Sequence, residues 1–179
     1  MLLQLRSLLL FFFTVFVAVL GIHSYTFVDK NKSYLHLKQW DMDSTGSLKF
    51  RFKSIKDYGL IMYTDTSRTA SYEKSYIALK LNQGHLEVAM QMGADDYRSL
   101  KKVTLGASQI LNDMEWHEVE IKRDALHPRA TDIRLDNEEK SFFHDGENAE
   151  FKLNSGLFFG GIPPDLDNMV DGMWSMEPR

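Results

Sequence analysis

The constraint that most limits this chain is an alternation. In "GSLKFRFKS" the apolar Leu48, Phe50 and Phe52 take every second position and the cations Lys49, Arg51 and Lys53 take the ones between. Side chains two residues apart share a face only in an extended strand, so this run reads as a strand with one face on a core and the other in water. The pattern returns in "SYIALKLNQGHLEVAMQMG". There Ile77, Leu79 and Leu81 form one inward row and Leu86, Val88, Met90 and Met92 a second, with Asn82, Gln83 and Gly84 between them as a tight turn in which Gly84 can take positive φ.

Further strands are expected at Tyr34 to Lys38, Gly59 to Thr64, Lys101 to Leu105, Trp116 to Arg123, Thr131 to Leu135 and Gly156 to Gly160. Many short strands joined by polar turns imply an all-β fold, an antiparallel sandwich or barrel. The best helix signal is "GASQILNDMEW", with Ser108 as cap, and it suffices for a turn or two. With 179 residues and no repeat, low-complexity tract or linker after Tyr25, a single globular unit is expected.

The first 24 residues combine a short basic start ending at Arg6, an apolar run from Leu8 to Leu20, and small or polar residues from Gly21 to Ser24. This is the layout of a secretory signal peptide cleaved after Ser24. The rival, an uncleaved anchor, wants roughly 20 predominantly apolar residues, more than the uninterrupted run supplies. Residues 25–179 would then form the mature, secreted domain. There is no cysteine, so this domain must hold together by its core alone. The net charge of −4, with cations spread among acids, leaves no basic stripe for a nucleic-acid backbone.

Catalytic chemistry finds little support. Glu118 and Glu120 in "WHEVEIK" share a strand face, and a retaining glycosidase needs two carboxyls about 5 Å apart. Val119 and Ile121 occupy the opposite face, so the acids read as the solvated side of an ordinary strand. The six histidines show no metal spacing, and neither a cysteine nor a G-x-S-x-G elbow is present. The reading is therefore a non-enzyme. Trp116 is expected in the core or at a sheet corner, whereas Trp174, in the Met-rich tail "DNMVDGMWSMEPR", suits a docking contact or a partner contact equally. "NKS" makes Asn31 the one acceptor for N-linked sugar. The polar stretch Thr64 to Ser75 is a solvated connection or a recognition rim.

Four segments in order, "SLKFRFKSIKDYGLIMYTD", "YIALKLNQGHLEVAMQMG", "DMEWHEVEIKRD" and "GLFFGGIPPDL", together resemble the laminin G-like, or LNS, domain family. The opening "YLHLKQWD", directly after a signal peptide, is most similar to the first LNS domain of neurexins. The resemblance covers Tyr25 to about Met176. It implies a concanavalin-like jelly roll of two curved antiparallel sheets that acts in cell adhesion, at synapses among other places, and binds an extracellular protein or glycan through loops at its rim. It implies no catalysis, no nucleic acid, and a membrane only through a longer form. In "SGLFFGGIPPDLDN" Leu157 and Phe159 would then point inward, Gly160 and Gly161 would permit close approach, and Pro163 with Pro164 would end pairing.

The chain departs from this pattern twice. Many members hold calcium at the rim through an Asp ahead of the hairpin, an Asn or Asp ahead of the G-G strand, and two backbone carbonyls. Here the aligned positions are Ser75 and Met92, with Glu150 and Lys152 aligning more loosely. A serine and a lysine do not replace two of the six to eight oxygen ligands that calcium takes, although Asp95 and Asp96 lie close behind Met92. No cofactor is therefore expected. The family's final strand, of F-x-G-hydrophobic type, also has no counterpart before the sequence stops at "DGMWSMEPR". The expected function is an extracellular binding module of a neurexin-like adhesion protein, with a soluble truncated form that modulates the full receptor as the alternative and a glycan-active enzyme as the remote one.

Overall fold

The computed structural model describes residues 24–27, 33–38, 40, 45–66, 75–91, 100–124, 126–127, 130–143 and 153–163. They form ten strands: β1 (Leu35–Leu37), β2 (Gly46–Phe52), β3 (Gly59–Asp65), β4 (Tyr76–Asn82), β5 (His85–Gln91), β6 (Lys101–Leu105), β7 (His117–Arg123), β8 (Ala130–Leu135), β9 (Glu138–Phe143) and β10 (Leu157–Phe159). One sheet has six strands in the order β1-β10-β3-β4-β5-β6 and the other four in the order β2-β7-β8-β9. Every pairing is antiparallel. The expected two-sheet β-sandwich is present, and no helix occurs among the described residues.

The alternation read from the sequence is what welds the sheets together. Ile77, Leu79, Leu81, Leu86, Val88, Met90 and Leu105 from the six-stranded sheet meet Val119, Ile121, Ile133, Leu135 and Phe142 from the other in one core cluster. Each such side chain, fully buried, stabilises the fold by about 1.5–3 kcal/mol relative to exposure. The β4–β5 turn is one residue shorter than the sequence suggests. Asn82 still pairs with His85, and only Gln83 (φ 52°) and Gly84 (φ 79°) form the loop. Positive φ at both positions is what a two-residue hairpin with the native strand twist requires.

A bulge in β3 between Leu60 and Met62 lets two consecutive residues, Ile61 and Met62, face the main core. Beyond it Tyr63 falls on the opposite face, where Tyr76, Ala78, Ala89 and Phe158 form a second buried cluster under Leu60, Leu100 and Ile162. The six-stranded sheet is thus buried on both faces in its middle. β10 serves both: Leu157 and Phe159 point to the main core, as expected, while Phe158 joins the second cluster and stacks on His36 at 4.4 Å.

Three local expectations are corrected. "GASQILNDMEW" contains turns and no helix, because Gly106 and Met114 adopt positive φ and Asp113 accepts the Glu115 amide in a local turn. Trp116 lies just before β7 and is 47% exposed, outside the core. The strand β9, "EEKSFF", was not expected at all, since Glu138 and Lys140 share a face with Phe142, the one side chain of the strand that reaches the core.

Candidate functional site

The rim singled out by the sequence lies where β3 ends, β4 begins and the chain enters β10. Backbone and side-chain hydrogen bonds tie these three points together. The Asp65 carbonyl accepts the amides of Asn154 and Ser155, both at 3.1 Å, and the Asp65 amide donates to Ser155 Oγ at 3.0 Å. Across the β3–β4 connection the Thr66 amide donates to the Ser75 carbonyl at 2.9 Å, and the Ser75 amide donates to Thr66 Oγ1 at 3.2 Å. Ser75 is buried and its backbone closes the base of a loop. These bonds hold the three strand ends together as one platform.

The carboxylate that this platform does contain was missed by sequence reasoning. Asp65 is buried and accepts the Tyr63 hydroxyl at 3.0 Å, opposite Tyr76, whose own phenol is pushed up to about 12 by burial. The signal was available in "MYTDTS", where an acid ends an apolar strand. No group of three or more histidine, cysteine, aspartate or glutamate side chains suited to a metal occurs among the described residues. The other rim positions named above, Met92, Asp95, Asp96, Glu150 and Lys152, lie outside the described residues, as do Asn31, Trp174 and residues 1–23.

Glu118 and Glu120 do share a face, the outer one of the four-stranded sheet. Lys49 lies 2.8 Å from Glu118, and Arg134 bridges both acids. With Lys122, Asp132 and Glu139, Glu120 and Arg134 line a shallow polar depression on this open face. The arrangement is an ion-pair network, each acid already held by a cation, and not two carboxyls flanking a cleft.

At the opposite pole from the rim, His117 is buried between two acids. Its Nδ1 lies 2.9 Å from the Asp136 carboxylate and its Nε2 lies 3.1 Å from that of Asp113. Burial opposes the charge on the ring, but the hydrogen bonds to Asp136 and Asp113 outweigh it and hold the imidazole above its ordinary range. Asp136 also accepts the Glu118 amide at 2.8 Å, and these bonds, outweighing its burial, keep its carboxyl below the usual range. Asp113 is held low by the Glu115 amide first and by His117 second. The cluster pins the β8–β9 turn to the loop before β7, a structural role. Beside it the exposed Trp116 ring carries Arg51 at 5.5 Å and Lys53 at 5.2 Å.

Comparison with known proteins follows from this geometry. The family model described as laminin G domain matches residues 50–173. Neurexin-2 of Rattus norvegicus is 26% identical over 140 residues, covering 74% of this chain and 8% of that protein. Neurexin-3a of Danio rerio is 25% identical over 147 residues, 78% of this chain and 8% of that protein. Among solved structures, domains LG4-5 of the mouse laminin alpha1 chain superpose with a TM-score of 0.60 at 24% identity, covering 76% of this chain and 33% of that one. The LG1-3 region of the laminin alpha2 chain gives 0.58 at 21% identity, covering 75% and 25%. The chain thus spans about a twelfth of the length of its neurexin relatives and shares its fold with laminin domains.

Proposed function

Because the chain belongs to the laminin G domain family, whose members in neurexins and laminins are extracellular binding modules, we propose that it is a recognition module of a neurexin-like adhesion protein. Its ligand is an extracellular protein or glycan met at the rim of the sandwich. The observation that carries this reading is the hydrogen-bonded platform of Asp65, Thr66, Ser75, Asn154 and Ser155, which ties three strand ends together at one rim of the sandwich.

In this reading the leader through Ser24 directs secretion, Asn31 carries an N-linked sugar, and recognition does without calcium because Ser75 replaces a charged ligand. No helix among the described residues is long and apolar enough to cross a membrane. In this reading a longer form of the protein is what attaches to a cell surface. The test is binding of the secreted, labelled chain to cultured neurons, before and after rim substitutions Asn154→Arg and Ser155→Arg. Loss of binding with an unchanged unfolding temperature supports rim recognition. Undiminished binding by well-folded rim variants places the contact elsewhere and overturns it.

A further inference from the structure

The end of the sandwich opposite the rim is finished by the connections β2–β3, β4–β5, β6–β7 and β8–β9, and all four lie wholly within the described residues. Backbone hydrogen bonds join three of them. The Met114 amide donates to the Ser54 carbonyl at 3.2 Å, the Gly84 amide to that of Asp57 at 2.9 Å, and the Leu111 amide to that of Gly84 at 2.8 Å. The fourth is joined through His117, which sits between Asp113 and Asp136.

Connections of this kind are ordinarily polar, yet these expose five large apolar side chains, Ile55, Tyr58, Ile110, Met114 and Trp116. Ile55 is 64% exposed and Met114 61%. The same hydrogen bonds draw their positions together. Ile55 follows the residue that holds Met114, and Tyr58 follows the residue that holds Gly84. The Ile110 side chain in turn comes within 3.0 Å of where a Gly84 Cβ would stand. Met114 is also held at φ 70°, a backbone that residues other than glycine rarely take. Apolar residues scattered singly on a surface are ordinary, whereas five gathered at one end mark a contact surface. Tyrosine, tryptophan and methionine are the types enriched where proteins meet.

Charge indicates what meets this surface. Lys53, Lys56, Asp57 and Glu115 border the apolar side chains, all of them exposed, and none makes an ion pair among the described residues. Two cations and two acids balance, with Arg51 adding one cation where the surface passes onto the sheet face beside Trp116. Asp113 and Asp136 are already engaged by His117. A surface of one sign would select a partner of the other sign. A balanced one is complementary to itself, because a two-fold contact between identical surfaces can set the cations of each copy against the acids of the other.

We propose that this pole is the contact between two copies of the chain, with the five apolar side chains at its centre and Lys53 and Lys56 of each copy beside Asp57 and Glu115 of the other. Apolar burial supplies the affinity, and the charges fix the orientation. The two rims then lie at the far ends of the dimer, so that one dimer offers two recognition surfaces and gains avidity for ligands arrayed together. This surface is separate from the rim, and its test does not depend on the rim's ligand.

The test is sedimentation velocity of the full secreted chain across the micromolar range, where a reversible monomer–dimer equilibrium is expected. Ile55→Asp with Met114→Asp should leave only monomer. Lys53→Glu with Lys56→Glu makes the border wholly acidic and should weaken the dimer roughly tenfold or more, as should Asp57→Lys with Glu115→Lys, which makes it wholly basic. An equimolar mixture of the two charge variants should associate again, because opposite signs then face each other between copies. None of the four charged residues makes an ion pair, so the dilute variants should unfold at the parent's temperature. A parent chain that stays monomeric throughout overturns the proposal. So does a dimer that the double variants leave intact, or a mixture of the two charge variants that fails to associate.

Discussion

His117 sits between two carboxylates, with Nδ1 2.9 Å from Asp136 and Nε2 3.1 Å from Asp113, an arrangement that favours the protonated ring. The pH dependence follows from the directions of the shifts. The imidazole is raised above its unfolded value of about 6.5, so its contribution is complete below that pH and is lost as pH rises through the folded value. Asp113 and Asp136 are lowered, so their contribution is complete above about pH 4 and is lost as pH falls through their depressed values. The stability difference between the parent and His117→Asn, measured by urea unfolding, should therefore be greatest between about pH 4 and 6.5 and shrink on both sides. A difference independent of pH would mean that the ring is neutral in the fold.

Gly160 follows β10 at φ 76°, and a Cβ there would meet the Phe27 ring at 2.5 Å. Both the left-handed backbone and the aromatic contact oppose any side chain. Gly160→Ala should cost about 2 kcal/mol or more, seen as a lower urea midpoint with an unchanged slope. Gly161, with nothing closer than 3.1 Å and no positive φ, should tolerate the same change better.

Leu79 and Leu48 face the same core from different depths. Leu79 is fully buried in the middle of the six-stranded sheet, and Leu48 sits partly exposed on the edge strand. Leu79→Ala should cost about 2–5 kcal/mol, and Leu48→Ala distinctly less. Equal costs would show that Leu48 is as deeply enclosed as Leu79 in solution.

Much of this fold was legible because its signal is periodic. Rows such as Leu48, Phe50, Phe52 and Ile77, Leu79, Leu81 announce themselves by spacing, and the structure places both in one core. β9 was not legible, since its inward face offers one apolar side chain and its identity rests on pairing with β8 through Ala130 to Leu135. The second cluster was hinted at by the near-continuous apolar run "YIAL" in β4, which a strictly one-sided strand would not need. The core alternative for Trp116 failed because residue type alone favours burial, whereas its position just before β7 sets it beside two cations and leaves it 47% exposed. At the rim, Asp65 was overlooked because attention fell on positions aligned by the hairpin, and its role depends on Tyr63 and Ser155, the latter 90 residues away.

The ion-pair network around Glu118 and Glu120 lies on an open sheet face, so it should matter little to stability. Glu118→Gln and Glu120→Gln are each expected to shift unfolding by less than about 1 kcal/mol, and less still in high salt. Neither should alter turnover of any glycan, because the acids are held by Lys49 and Arg134 and flank no cleft. A glycosidase activity abolished by either change would overturn the reading of this face as structural.

Calcium gives the sharpest test of the rim. Ser75 spends its amide and carbonyl on Thr66 and offers at most a neutral hydroxyl where a carboxylate would be needed, while the nearby Asp65 is engaged by Tyr63. A ligand that binds only the folded state raises the unfolding temperature in proportion to its occupancy. Thermal unfolding with and without millimolar calcium should therefore coincide. A rise of several degrees would mean that carboxylates from 95–96 or 150 complete a site beside Ser75, and Asp95→Asn with Asp96→Asn should then abolish the rise; if it survives, the ion is held at a different place on the domain.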